Sequence, residues 1–259
     1  MELLTLKQLD AICDFKMDES NGLSLLAGLN RFGHDCGLDR PHRLAQYVAQ
    51  VCHESMAFQY DREIWGPTPA QKRYDQRTDL GNTPERDGDG YRYRGRGSMM
   101  ITGTFNYADF TRWAHDLDPK APDFVANPDA VLTDPWEGLG PIWYWDTHNL
   151  NSYADRQQFK VAFKGVTRVI NGGMNGYGDR RDYYDVAALV LLGYGRSDVE
   201  GFQNKVGLKA DGDIGPLTRQ ALHEALMALP SIPQRRPFWG QLFHSFMSLF
   251  QKRLTHAAR

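Results

Sequence analysis

The sequence predicts a mainly helical protein with a minor β element. Apolar residues recur at helical spacing in several stretches, whereas dipeptides typical of turns are concentrated in residues 60–98. The 259 residues suffice for one domain of ordinary size plus a small appendix. With 41% hydrophobic and 24% charged residues, the composition is that of an ordinary globular protein.

The predicted elements follow in chain order. Thr5 and Gln8 form a capping box in front of a first helix. The clearest helix is expected over residues 39–58, with Asp39 as its cap and apolar residues on one face at i, i+3, i+4 and i+7 spacing. Residues 91–102 are expected to hold short strands. Further helical patterns cover residues 20–32, 106–115, 136–145 and 183–192.

Two glutamates are the candidate catalytic residues. Glu54 lies on the flank of the apolar stripe of the 39–58 helix, where half-apolar surroundings would disfavour its charged form, as a general acid requires. Glu63 follows nine residues later in a loop beside Arg62, whose charge would favour a carboxylate, as a general base requires. Two carboxyl groups in contrasting environments are typical of a glycosidase.

Three motifs resemble those of family-19 glycoside hydrolases, the chitinase and endolysin group. The helix around Glu54 is similar to the acid-bearing helix of this family. A Gly-Arg-Gly-x-x-Gln-[Leu/Ile]-[Ser/Thr] signature is matched by residues 95–102, although Met100 stands where the family has glutamine. Residues 169–176 resemble an Ile-Asn-Gly-Gly segment. The resemblance covers residues 20–195 and implies a lysozyme-like, two-lobed fold.

The resemblance also implies roles for individual residues. Glu54 matches the general acid, Glu63 the general base, and Thr102 a hydroxyl that helps to hold the attacking water. No cofactor and no metal are implied. The positions that match substrate-binding residues are Asn106, Tyr107, Asn171 and Arg180, and Arg180 more specifically matches an arginine that tunes the carboxylate network.

A second motif unit follows the hydrolase-like region. Residues 198–222 resemble the small helical peptidoglycan-binding module of wall hydrolases, and a tight Asp-Gly turn precedes its second helix. The matching positions are Gln203, Asp211, Gly212, Gly215 and Thr218. We therefore expect a catalytic domain at residues 1–195, a wall-binding module at 196–229 and a tail at 230–259. A structural helical hairpin is the alternative for the module.

The tail differs from the rest of the chain in charge. It holds five basic residues and no acid, so the formal net charge of −2 leaves −7 (−2 minus +5) on residues 1–229. Aromatic residues recur in it at helical spacing. Such a segment suits an anionic membrane or lipopolysaccharide surface, or it docks on the catalytic domain. The overall charge argues against a nucleic-acid partner.

The expected function is hydrolysis of the β-1,4 bonds of bacterial peptidoglycan, muramidase-type and inverting, by a phage-type endolysin that causes host lysis. A chitinase, or a secreted antibacterial toxin with the same chemistry, is the alternative. The first residues show no basic segment before a long apolar core, so we expect no signal peptide. Synthesis in the host cytoplasm, action on the periplasmic wall and a monomeric state are expected. The three cysteines cannot form a closed disulfide framework.

Overall fold

The computed structural model describes residues 1–14, 16–63 and 66–234. Most of the predicted tail, from residue 235 onward, lies outside the described residues. No helix in the described part of the chain has the length and apolar character needed to cross a membrane. The helices are α1 (Leu6–Ile12), α2 (Glu19–Phe32), α3 (Pro41–Glu54), α4 (Pro69–Tyr74), α5 (Asp89–Arg92), α6 (Thr104–Leu117), α7 (Gly140–Thr147), α8 (Asn151–Ala154), α9 (Phe159–Asn171), α10 (Tyr177–Leu191), α11 (Val199–Val206) and α12 (Pro216–Ala228).

The mainly helical fold class is confirmed. Short 3-10 helices occur at Thr78–Leu80, Pro128–Leu132 and Glu137–Leu139. Among the described residues, β structure is limited to two isolated bridges, which pair Arg96 with Arg62 and with Ile101. The minor β element is therefore a tight turn against the loop that carries Glu63, not a sheet.

Helix α3 is shorter than its apolar stripe predicts. It ends at Glu54, four residues before Phe58, because Met56, Ala57 and Phe58 all have positive φ angles between 50° and 62°. Three residues in this left-handed region cannot continue a right-handed helix. The chain thus turns away directly after Glu54, and Phe58 still reaches the core, fully buried.

The helix starts agree only partly with prediction. The capping box of Thr5 and Gln8 at α1 is present, as predicted. The expected cap of α3 is wrong, because Arg40 occupies the cap position and makes no side-chain hydrogen bond there. The carbonyl of Asp39 instead accepts a hydrogen bond from the backbone N–H of Ile232, 2.8 Å away. A contact with a distant segment therefore replaces the local one.

Helix α3 forms the centre of the core. Helix α10 packs along it, and α9 and α12 also contact it. Helix α9 is an addition to the predicted set, although its inward-facing Phe159, Phe163 and Val166 recur at helical spacing and are buried. One continuous hydrophobic cluster runs through these helices, and it extends from Leu3 to Leu226.

The helices of segment 196–229 share this cluster. Leu222 and Leu226 of α12 are fully buried in it. The guanidinium of Arg219 donates to the carboxylate of Asp185 on α10 at 2.8 Å. Burial outweighs this pairing and raises the pKa of Asp185 to about 6. The boundary at residue 195 stays a prediction, and the contacts of α12 indicate that it adds to the stability of the residues before it.

Glu137 is a buried carboxyl, 6% exposed, in the 3-10 helix Glu137–Leu139. Burial first, and then the charges of Asp61 and Asp134, raise its pKa from 4.5 to about 7. The native state therefore holds this proton more tightly than the unfolded chain does. The stability linked to Glu137 is fully present below pH 4.5 and is lost as the pH rises through about 7.

We predict that Leu222→Ala destabilises the whole protein. Removing a buried leucine side chain costs about 2–5 kcal/mol, and the packing of α12 on the main core should transmit this loss to a single unfolding transition. Differential scanning calorimetry measures it. Leu217→Ala on the same helix is the control, because Leu217 is 74% exposed. A separate transition that alone responds to Leu222→Ala would show an independent module.

We predict that Glu137→Gln flattens the pH dependence of stability. Wild type should lose on the order of 2–3 kcal/mol through this group between about pH 5 and pH 8, whereas the neutral amide loses nothing by titration. Urea denaturation at both pH values measures the difference. Glu85→Gln, an exposed site, should follow the wild type. Equal slopes for Glu137→Gln and wild type would contradict the prediction.

Candidate active site

Glu54 lies at a cleft of about 690 Å³. As the last residue of α3 it is rigidly placed, and the left-handed turn behind it leaves its side chain 29% exposed. Helices α6 and α7 and the residues just before α6 line most of the rest of the cleft. Among its lining residues are Met100, Asn106, Trp113, Tyr144 and His148. The cleft therefore joins residues from five separate stretches of the chain.

A buried arginine holds Glu54. The guanidinium of Arg180, 1% exposed, pairs with Oε1 of Glu54 through a very short contact and donates to Oε1 of Gln50 at 2.7 Å. Gln50 in turn donates to the hydroxyl of Thr167 at 3.0 Å. Within the described part of the chain, Oε2 of Glu54 has no hydrogen-bond partner. One carboxyl oxygen is therefore anchored and the other is available to a substrate.

This network bears on two expectations. The surroundings of the Glu54 carboxyl are not mainly apolar, because an arginine lies against it. Arg180, which was grouped with the substrate-binding residues and matched to an arginine that tunes the carboxylate network, lies buried and makes its hydrogen bonds to Gln50, Glu54 and the carbonyl of Asn175. These contacts are those of a residue that positions Glu54.

The loop between α9 and α10 packs against the residue next to Glu54. Nδ1 of His53 lies 2.5 Å from Oδ2 of Asp179. Gly176, with φ of +67°, lies directly against the imidazole, and a Cβ there would come within 2.3 Å of it. Any larger residue at position 176 would displace His53 and, with it, the end of α3. This accounts for the glycine of the motif in physical terms.

Glu63 is held from a different direction. Its backbone N–H donates to the carbonyl of Gly95 at 3.0 Å, and its Oε2 accepts from Nε2 of Gln71 at 2.8 Å. Gln71 is 2% exposed and also closes the capping box of α4 with Thr68. Gln71 is a functional candidate absent from the prediction. The Thr-Pro-Ala-Gln pattern at residues 68–71 is the sequence signal that could have identified it.

Thr102 and Met100 lie in the turn that follows the Gly-Arg-Gly segment, and Met100 lines the cleft with Glu54. The hydroxyl of Thr102 donates to the carbonyl of Met100 at 2.8 Å, so its lone pairs are available to accept. Gly95, whose carbonyl accepts from the backbone N–H of Glu63, packs closely against this turn. A Cβ on Gly95 would lie 3.1 Å from Met100 and 3.3 Å from the Thr102 hydroxyl. Met100 has a φ of +49°, a strained value for a residue with a side chain.

The other predicted substrate-binding residues, Asn106, Tyr107 and Asn171, have different surroundings. Asn106 lines the cleft and donates to the carbonyl of Thr102 at 2.8 Å. Tyr107, by contrast, is fully buried, and its hydroxyl accepts from Arg96 and donates to the carbonyl of Arg94. Its structural role is to hold the Gly-Arg-Gly turn. Asn171 ends α9, and its side chain accepts from the backbone N–H of Asn175 at 3.1 Å.

An aromatic pair, Tyr144 and His148, also belongs to the site. Tyr144 stacks on His148 with ring centroids 3.9 Å apart, and both line the cleft. Burial and, second, the charge of Glu54 raise the pKa of the Tyr144 phenol, which places this ring close to the carboxylate. Its neighbours Trp143 and Trp145 are 8% and 1% exposed, and the small exposed part of Trp143 also lines the cleft. The aromatic run at residues 143–145 is the signal in the sequence.

The residues predicted for wall binding form a local network. Gln203 is 1% exposed, and its amide donates to Asp211, to the carbonyl of Asp213 and to Thr218. Its Oε1 accepts from the backbone N–H groups of Asp211 and Gly212. Gln203 and Thr218 therefore hold the turn between α11 and α12. Gly215, at the start of α12, lines a small adjacent groove of about 210 Å³.

Comparison with known proteins places this site in a family. A Haemophilus influenzae protein described as a glycosyl hydrolase family 19 domain-containing protein is 31% identical over 166 residues, which cover 54% of this chain and 76% of that protein. Chitinase 6 of Oryza sativa subsp. japonica is 29% identical over 154 residues, 59% of this chain and 51% of the rice protein. This chain therefore matches about half the length of the rice chitinase. No family model matches the chain.

The fold is also similar to a solved structure. Chitinase C from Streptomyces griseus HUT6037 superposes with a TM-score of 0.51 over 75% of this chain and 78% of the chitinase, at 20% identity. This likeness concerns the fold alone, and it agrees with the predicted lysozyme-like architecture. The sequence similarity to the Haemophilus protein shows that the chain belongs to glycosyl hydrolase family 19 and is a glycoside hydrolase.

Proposed function

We propose that this chain hydrolyses the β-1,4 glycosidic bonds of bacterial peptidoglycan by an inverting mechanism with Glu54 as acid and Glu63 as base. The observation that carries the proposal is the cleft position of Glu54, with one carboxyl oxygen anchored by Arg180 and the other unpartnered among the described residues. A fixed carboxyl with one available oxygen is suited to proton transfer to a leaving oxygen.

As the general acid of this mechanism, Glu54 enters the reaction with a proton on Oε2, the oxygen that has no partner among the described residues. The proton on Oε2 then passes to the glycosidic oxygen as the bond to the anomeric carbon breaks. Arg180 stabilises the carboxylate that remains.

Glu63 and Thr102 would prepare the water. Gln71 anchors Oε2 of Glu63 and leaves Oε1 to accept a proton from water. Since the Thr102 hydroxyl donates to the carbonyl of Met100, it is oriented to accept the second hydrogen of that water. The oxygen of the water then attacks the anomeric carbon from the face opposite the leaving group, which inverts its configuration.

Peptidoglycan is favoured as the substrate by segment 196–229. Its resemblance to a wall-binding module would give the enzyme an anchor on an insoluble polymer, which raises the effective concentration of the bonds to be cut. The names of relatives such as the rice chitinase favour polymers of N-acetylglucosamine as a second candidate. The physiological role that we propose is lysis of a host cell by a phage endolysin, with the tail contacting an anionic envelope surface.

We predict that Glu54→Gln and Glu63→Gln each lower the rate of clearing of purified cell walls by at least about 100-fold, because each removes a proton-transfer group. Turbidity measures the rate, and circular dichroism checks the fold. Glu85→Gln, an exposed carboxylate in the same loop region as Glu63, is the matched control and should retain wild-type activity. Near wild-type clearing by either catalytic variant would remove the role assigned to that residue.

We predict that digestion exposes N-acetylmuramic acid at the new reducing ends. After reduction with borohydride, mass spectrometry of the fragments should show muramitol, and soluble chitin oligomers should be cut weakly at most. Glucosaminitol would assign the cut to the other linkage. Anhydromuramic ends would indicate a lytic transglycosylase, which works with one acidic residue instead of two.

A further inference from the structure

A second groove, of about 610 Å³, runs along the outer face of α9. Lys160, Lys164 and Arg168 line it and recur every four residues, so they form one stripe with about 6 Å of helix rise between neighbours. Arg156, just before α9, lines the groove as well. Four cations thus surround one groove in a chain whose formal net charge is −2. We refer to it as the basic groove.

No acidic residue lines the basic groove in the described part of the chain. The adjacent carboxylate of Asp155 is engaged elsewhere, because Arg43 donates to both of its oxygens and His42 lies 2.9 Å from one of them. Lys160 and Arg168 are exposed, and neither is in an ion pair with a described residue. The charges of the groove therefore remain available to an anionic partner.

Tyr153 and Arg156 line the groove together with the cations of α9. The ring of Tyr153 lies against Gly165 in the middle of α9, where a Cβ would come within 2.7 Å of the tyrosine. The guanidinium of Arg156 lies over the same ring, 4.7 Å from its centroid. Because these two contacts already engage Tyr153, the groove offers a ligand its cations and not a free aromatic face.

The basic groove lies next to the cleft that contains Glu54. Val169 lines the groove, and the following residue, Ile170, lines the cleft. The hydroxyl of Tyr144, a cleft residue, donates to the carbonyl of Val169 at 3.1 Å. A polymer bound in the cleft can therefore place its next units, or their substituents, against the cations of α9.

We propose that the basic groove binds the carboxylates of the peptide stems of peptidoglycan and so selects this anionic glycan over neutral chitin. The proposal rests on the proposed function, hydrolysis of peptidoglycan in the adjacent cleft. The stems carry free carboxylates along the glycan, whereas chitin carries none. An anionic membrane is a weaker match, since membrane-binding surfaces combine cations with protruding aromatic or long aliphatic side chains and the described groove presents only Val161.

The test compares two triple variants of the full chain. Lys160→Gln, Lys164→Gln and Arg168→Gln together remove the stripe, whereas Lys7→Gln, Arg40→Gln and Lys120→Gln together remove the same charge from exposed sites outside both grooves and outside segment 196–229. On native sacculi at low salt, the stripe variant should bind about tenfold more weakly and show a correspondingly higher KM, with kcat within about twofold. Its binding should also depend less on salt. The control variant should match the wild type.

A modified substrate identifies the ligand. Sacculi treated with carbodiimide and methylamine have neutral amides in place of carboxylates, and on these the wild type and the stripe variant should bind equally. A stripe variant that matches the control on native sacculi would overturn the proposal. The proposal would also be overturned if the stripe variant still bound the neutral sacculi more weakly than the wild type did. Weaker binding of the stripe variant to vesicles that contain phosphatidylglycerol, and to no sacculi, would overturn it as well.

The two proposals fail in different ways. If the wild type releases no reducing ends from native sacculi, the proposed hydrolysis is wrong, whereas carboxylate-dependent binding through α9 would still be visible in the pull-down. If hydrolysis occurs and the two triple variants are equal, the basic groove alone is eliminated. Equal melting temperatures of the two variants would show that the loss is not one of folding.

Discussion

The buried charge of Arg180 is the constraint on which the site depends. A guanidinium that is 1% exposed must be paired, because an unpaired buried charge costs several kcal/mol. Its partners are Gln50 and Glu54, one helical turn apart on α3, so α10 can pack on α3 in one register only. The packing of α10 on α3 therefore also orients Glu54, the predicted acid. Because the buried guanidinium of Arg180 has to be paired, its pairing also fixes the position of the Glu54 carboxyl group.

The second glutamate, Glu63, is held by neutral groups. Glu63 lies in a loop and is positioned by a neutral amide, that of Gln71, and by one backbone hydrogen bond to Gly95. A neutral partner orients a carboxylate without neutralising its charge. The two glutamates are thus held by supports of different kinds, a buried guanidinium for Glu54 and a capped short helix for Glu63. The arginine therefore lies at Glu54 and the neutral partner at Glu63, the reverse of the surroundings that the sequence predicted.

Helix α9 connects the support of the site with its surroundings. Its inner face contributes Thr167, which ends the hydrogen-bonded chain from Glu54 through Arg180 and Gln50. Its outer face carries the cations of the basic groove. Because both faces belong to one rigid element, the groove is held in a constant position relative to Glu54. An enzyme that acts on a polymer benefits from such a fixed offset, since the distance between bond and substituent repeats along the polymer.

Local patterns in the sequence determined the start of α1, the strongest helices and the motifs. The capping box of α1 and the existence of α3 depend on residues within one or two turns of each other, so their physics is visible in a short window. The resemblance also predicted Glu54, Glu63, Thr102 and Arg180 as residues of the site. What these residues contact was beyond such a window.

Only the tertiary structure decided the partners. Arg180 is separated from Glu54 by 126 positions, and its burial behind the carboxylate, not in the cleft, follows from how α10 packs on α3. Tyr107 is buried and Tyr144 is in the cleft for the same reason, since spacing alone does not say which face of a helix meets the core. The end of α3 at Glu54 is set by a left-handed turn whose residues are not glycines. Long-range packing outweighs local preference at these positions because each buried contact contributes more free energy than the local propensity that it overrides.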